Sequence, residues 1–129
     1  MNPAHTLRTS VYNALHAVNA NTMASYPSSV FANDGYSDLP LTVYDVSLGD
    51  TDSLAARTFR HVDVEINVDL FSDSRDALSD LAWNTRLAMR QICPTCTLDK
   101  FNVMSNGLVR QTQTYRGRMD IDTGIIYTT

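Results

Sequence analysis

Phe59-Arg60-His61-Val62-Asp63-Val64-Glu65-Ile66-Asn67-Val68-Asp69-Leu70-Phe71 is the stretch on which the fold reading turns. Val62, Val64, Ile66 and Val68 alternate with His61, Asp63, Glu65, Asn67 and Asp69. A period of two is that of a half-buried strand, with one dry face and one polar, acidic face. Asp63, Glu65 and Asp69 then line up on the wet face. Same-face neighbours along a strand sit roughly 6–7 Å apart, a spacing that suits solvation better than tight chelation of a metal. The expectation is a solvated face of an antiparallel sheet.

Toward the C-terminus, Ser72-Asp73-Ser74 offers N-cap oxygens to a helix over residues 75–91. Leu78, Leu81, Thr85, Ala88 and Ile92 share one stripe of that helix, while Trp83, Leu87 and Arg90 lie elsewhere on its surface. Aromatics are enriched where proteins meet, so Trp83 is a candidate contact residue. The alternative is a ring lying flat over the edge of its own sheet. After a short link, residues 108–115 pair as a hairpin arm with a last strand. Met119, Ile121, Thr123, Ile125 and Tyr127 share one face of that strand, and Gly107 and Gly117 punctuate the approach.

Toward the N-terminus, residues 49–57 form a polar connection, nine residues long and longer than a tight hairpin turn. It is preceded by a strand at residues 41–48 with apolar groups on both faces, as expected of a central strand. Residues 22–40 read as a polar connection containing Pro27, Gly35 and Pro40, in which Ser29-Val30-Phe31 forms a short edge strand. Residues 6–19 read as an amphipathic helix with Leu7, Val11, Leu15 and Val18 on one stripe. The order helix, strand, strand, helix, strand, strand gives an α+β fold: a small mixed, mostly antiparallel β-sheet with two helices packed against it.

A chain of 129 residues fits one domain, residues 1–129, and its 43% hydrophobic and 19% charged composition is globular. No apolar run approaches the ~20 residues of a membrane helix. Met1-Asn2-Pro3-Ala4-His5-Thr6 lacks the order of a secretory signal, so the expectation is the cytosol or an assembly built there. The net charge is −4, with a single lysine, Lys100, and no basic cluster. Nucleic-acid grip needs a basic stripe to displace counterions, so sequence-reading DNA or RNA binding is disfavoured.

Cys93-Pro94-Thr95-Cys96 is the one motif with chemical associations, a redox pair or half a zinc site. The cysteines follow a helix, at the end where the dipole disfavours a thiolate. A zinc site needs about four ligands. No other cysteine exists, and His5, His16 and His61 are scattered. The reading is a plain turn closed by Pro94. Phosphate-cradling glycine loops are absent from the sequence. The carboxylate pairs Asp120/Asp122, on the outer face of a strand, and Asp76/Asp80, on a solvated helix face, lack the contrasted environments that separate an acid from a base. No enzyme activity, cofactor or metal is expected.

His5-Thr6-Leu7-Arg8-Thr9-Ser10-Val11-Tyr12-Asn13-Ala14-Leu15, Val30-Phe31 and Leu39-Pro40-Leu41-Thr42-Val43-Tyr44 carry a resemblance. The acidic strand followed directly by a helix, and the late Gly117 with a strand ending in Tyr127, complete it. Taken in order, they make nearly the whole chain resemble the tail terminators of long, flexible-tailed bacteriophages, the lambda-like minor tail protein family. The resemblance implies a small sheet with helices packed against it and a homohexameric ring on the finished tail tube. That ring ends tube growth and presents a surface to the head connector or head-closure protein. It also implies a place in the virion, at the head-proximal end of the tail, with DNA passing through the ring without specific binding and no membrane. The family's motifs are structural, so no catalytic residues carry over. The alternatives are another head–tail connector component, or a thiol or zinc protein using Cys93 and Cys96. Asp50, Asp52, Leu54 and Arg57 in the polar connection, with Trp83, are the candidate assembly contacts.

Overall fold

The computed structural model describes residues 3–31, 38–49 and 61–127. Helix α1 spans Pro3–Val18 and buries Leu7, Val11 and Leu15, the stripe expected from their spacing. Strand β1 is the two-residue Thr22–Met23, β2 is Leu41–Leu48 and β3 is His61–Ser72. Helix α2 spans Arg75–Met89, with the Ser74 hydroxyl accepting from the Ala77 amide as its N-cap. Strands β4 (Cys96–Val103), β5 (Val109–Asp120) and β6 (Ile126–Tyr127) complete the chain.

The sheet runs β1-β2-β3-β5-β4, with β6 paired to β5 beyond the end of β4. β1 is parallel to β2, and the other pairs are antiparallel. The fold is α+β, with two helices against a six-stranded, mostly antiparallel sheet. Both helices cover the same face. Leu7, Val11 and Leu15 of α1 and Leu78, Leu81 and Met89 of α2 join Val62, Val64, Ile66, Val68 and Leu70 of β3 in one core. A polar pair lies inside it: fully buried Gln113 accepts from the Tyr115 hydroxyl at 2.6 Å and donates to the Ala82 carbonyl at 3.1 Å. Both groups are thereby satisfied, which is what allows them in a dry layer.

Among the described residues the second face is covered at one end only. There Val30, Leu41, Val43, Phe71 and Leu108 form a smaller core. Ser29-Val30-Phe31 is not an edge strand. Ser28–Phe31 is a 3-10 turn that drops Val30 into this core, with its amide bonded to the Pro27 carbonyl at 3.0 Å and its carbonyl taken by Asn106 at 2.9 Å.

The C-terminal half departs further from the expectation. Residues 108–115 are not a hairpin arm to a strand through Met119; they belong to the same strand, β5, which pairs with β3 along its whole length. Its hairpin partner is β4, where only a short link was expected. The expected last strand stops at Asp120, turns through Gly124 at φ +74°, and returns as β6. β6 lies so close that a Cβ on Gly117 would sit 2.5 Å from Ile126 Cγ2 and 2.8 Å from the Tyr127 carbonyl oxygen. Only glycine permits that approach. Helix α2 ends at Met89, short of residue 91, and buries Ala82 and Met89 besides the expected Leu78, Leu81 and Thr85.

Candidate assembly surface

The open face of the sheet is a charge ladder. Asp63 stands opposite Arg118, Glu65 opposite Arg116, Asn67 opposite Thr114 and Asp69 opposite Thr112. Arg118 Nε lies 3.4 Å from Asp63 Oδ1, Arg116 Nη2 lies 2.7 Å from Glu65 Oε1, and Thr114 donates to Asn67 at 2.8 Å. The acidic face read from β3 alone is thus compensated by β5. Such exposed pairs are worth about 0–1 kcal/mol each, so they set the character of the face more than its stability.

Asp69 breaks that pattern and corrects the expectation of a solvated carboxylate: it is 6% exposed. Arg110 Nη2 lies 2.7 Å from its Oδ2 and Nε 3.3 Å from its Oδ1, Thr112 donates at 2.6 Å, and the Tyr26 hydroxyl donates as well. The Arg110 guanidinium also sits 5.4, 5.8 and 5.9 Å from the ring centroids of Phe71, Phe31 and Tyr26. Burial by itself would raise the Asp69 pKa, but the hydrogen bonds from Arg110, Thr112 and Tyr26 outweigh it and hold the carboxyl below the usual range. Tyr26, pushed up by burial and then by Asp69, reaches about 12. The cluster is a clasp that holds the segment after β1 against the sheet. Its sequence signal was the run Arg110, Thr112, Thr114, Arg116, Arg118, which alternates in step with the acids of β3.

Trp83 is the one proposed contact residue within the described structure; Asp50, Asp52, Leu54 and Arg57 lie outside it. Trp83 is 62% exposed and Leu87, one turn on, 38%. The ring does not lie flat over its own sheet. Arg75, stacked 4.5 Å over Phe101, and Arg86, 3.5 Å from Asp99, mark the side of α2 that faces β4. Trp83 is three residues before Arg86 and is turned further from the buried stripe of Leu78, Leu81, Ala82, Thr85 and Met89, on the outward part of α2. Among the described residues β4 is an edge strand, with six of its eight residues exposed.

Cys93 is buried and Cys96 partly so; both are free thiols, and burial pushes both pKa values up. The Cys93 amide bonds the Met89 carbonyl at 2.8 Å, so the chain leaves α2 through this motif and enters β4 at Cys96. Among the described residues no group of three or more His, Cys, Asp or Glu comes together to hold a metal. His5 and His16 lie on α1, whereas His61 Nε2 is 3.9 Å from Asp120. Asp120 and Asp122 do not share the outer face of a strand: Asp120 closes the β5–β6 turn by accepting from the amides of Asp122 and Thr123. Asp76 and Asp80 are exposed on α2. A cleft of about 570 Å³ lies between α1, the α2–β4 link and the β5–β6 turn, with Leu7, Ile92, Met119 and Ile126 among its walls. Compared with known proteins, the chain matches no family model and no curated protein.

Proposed function

We propose that this protein is the tail terminator of a long, flexible-tailed bacteriophage. In that role it forms a ring of six on the finished tail tube, ends tube growth and offers the surface on which the head is joined. Its partners are then itself, the tube protein, and the head connector or head-closure protein. Its place is the head-proximal end of the tail, reached from the host cytoplasm. It works by contact, without a cofactor.

The observation that carries the reading is the ordered resemblance of the chain, set on a fold with helices against one face of a small sheet. The exposed Trp83 and Leu87 on α2 add support, since an exposed apolar ridge suits a protein whose work is contact. DNA passing through such a ring meets a chain of net charge −4. The Asp63 and Glu65 carboxylates are already paired with arginines, so that ladder is not the source of a repulsive lining.

The test mixes purified protein with tail tubes and follows them by light scattering and electron microscopy. Rings of six at one tube end, with no further growth from that end, are expected. A strict monomer at high concentration that leaves tube ends uncapped overturns the reading. Binding to head connectors with bare tube ends moves the protein to the head-closure class.

A further inference from the structure

The sheet ends in two unlike edges. On one side lies β4; on the other, β2 is covered by β1 only at Thr42 and Val43, so among the described residues positions 44–48 have no strand on their outer side. β2 is antiparallel to β3, β3 to β5 and β5 to β4, so β2 and β4 run in opposite directions. Two copies set side by side in the same orientation therefore bring β4 of one against β2 of the next as an antiparallel pair. Their helix-covered faces stay on the same side.

Side-chain parity then restricts the register. Tyr44 belongs to the helix side, with its ring 6.2 Å from that of Tyr12, and Phe101 belongs there too, beneath Arg75. Asp45 and Lys100 belong to the open face, opposite Asn67 and Thr112 within their own sheet. Both are exposed, and neither makes an ion pair among the described residues. In one register Asp45 meets Lys100 of the neighbouring copy and Tyr44 meets its Phe101, an opposite-charge pair and an aromatic pair of the kinds that stabilise strand pairing. Val46 then meets Asp99, whose carboxylate is already tied to Gln111 at 2.6 Å and Arg86 at 3.5 Å.

From this complementarity we infer that the partner of the β4 edge is the β2 edge of a second copy of this chain, in the register that joins Lys100 to Asp45 and Phe101 to Tyr44. Each copy uses both edges, so the contact is head-to-tail and closes as a ring when the rotation per copy allows it. As an account of ring assembly the inference rests on the function proposed above, while the pairing itself is read from oligomeric state alone.

The experiment compares the parent with Asp45→Lys, Lys100→Asp and the double exchange by sedimentation and light scattering, with circular dichroism as the check on folding. The parent is expected to self-associate. Each single reversal should weaken association at least tenfold, and the double exchange should restore it. A parent that stays monomeric, single reversals that assemble like the parent, or a double exchange no better than the singles overturns the pairing. A parent that assembles through this edge yet leaves tubes uncapped keeps the pairing and removes the terminator role. Reversed chains that still form rings and cap tubes keep the role and remove the pairing.

Discussion

Arg110 holds Asp69 through two nitrogens, Nη2 at 2.7 Å and Nε at 3.3 Å, although the two residues are not cross-strand partners: Asp69 faces Thr112 and Arg110 faces Phe71. The diagonal reach carries the guanidinium under the rings of Tyr26 and Phe31, so one carboxylate organises two strands and the segment after β1. Asp69→Asn leaves a partly buried guanidinium without its counter-charge. Removing one partner of a buried pair is strongly destabilising, and the partial exposure of Arg110 discounts that cost to about 2–3 kcal/mol. Denaturant unfolding of the variant checks this. A loss below about 0.5 kcal/mol would show that the clasp is ornamental.

The same cluster gives the stability curve two limbs. Asp69 has a folded pKa below its unfolded value, so its contribution is fully present above an unfolded pKa of about 3.9 and is lost as pH falls through the folded value. Tyr26 is the reverse case: raised to about 12, it contributes below its unfolded pKa of about 10 and loses that contribution as pH rises toward 12. Melting temperatures of the parent, Asp69→Asn and Tyr26→Phe across pH separate the limbs. The Asn variant should flatten the acid limb and the Phe variant the alkaline one. Parallel curves for all three chains would disconnect the cluster from pH stability.

Gly117→Ala tests the closeness of β6. The new methyl meets a backbone carbonyl as well as the Ile126 side chain, and a carbonyl in a paired strand cannot swing aside as a rotamer can. Overpacking of this kind costs about 1–3 kcal/mol. Hydrogen exchange should locate the loosening in β6 and the Asp120 turn, with β3 protected as in the parent. Uniform loss of protection would mean that β6 is part of the global unfolding unit.

β3 was legible because it has one dry face and one wet face, so burial writes itself into the sequence with period two. β4 was not: Leu98 faces the open side and Phe101 and Val103 the helix side, and an edge strand exposed on both faces imposes no alternation. β5 was cut in two because its inward positions include Gln113 and Gly117, a satisfied amide and a residue with no side chain. Gln113 answers to Ala82, 31 residues away, and Gly117 to Ile126 across the β5–β6 turn. Asp69 was read as wet because alternation assigns a face and cannot tell which part of it another segment will cover. Tyr26, 43 residues away, supplies that cover. Trp83 was placed off the buried stripe by spacing alone, because helix periodicity states which side is dry.

Trp83→Ala separates contact from folding. The ring is 62% exposed, and Leu78, Leu81, Ala82 and Met89 carry the packing of α2, so truncation removes little that the monomer buries. Surface changes away from the core fall within about 0.5 kcal/mol, and unfolding of the monomer should move no further than that. At an interface the same truncation removes a large aromatic anchor, for which losses of about 2 kcal/mol or more are typical, some thirtyfold in association. Sedimentation at graded concentrations reads that difference directly. Leu87→Ala, one turn along and 38% exposed, should cost less because a smaller surface is lost. If Trp83→Ala associates and caps tubes as the parent does, the ridge on α2 is ordinary surface and the contact lies elsewhere on the chain. If it unfolds early, the ring is a structural cover, despite its exposure, and the contact assignment falls with it.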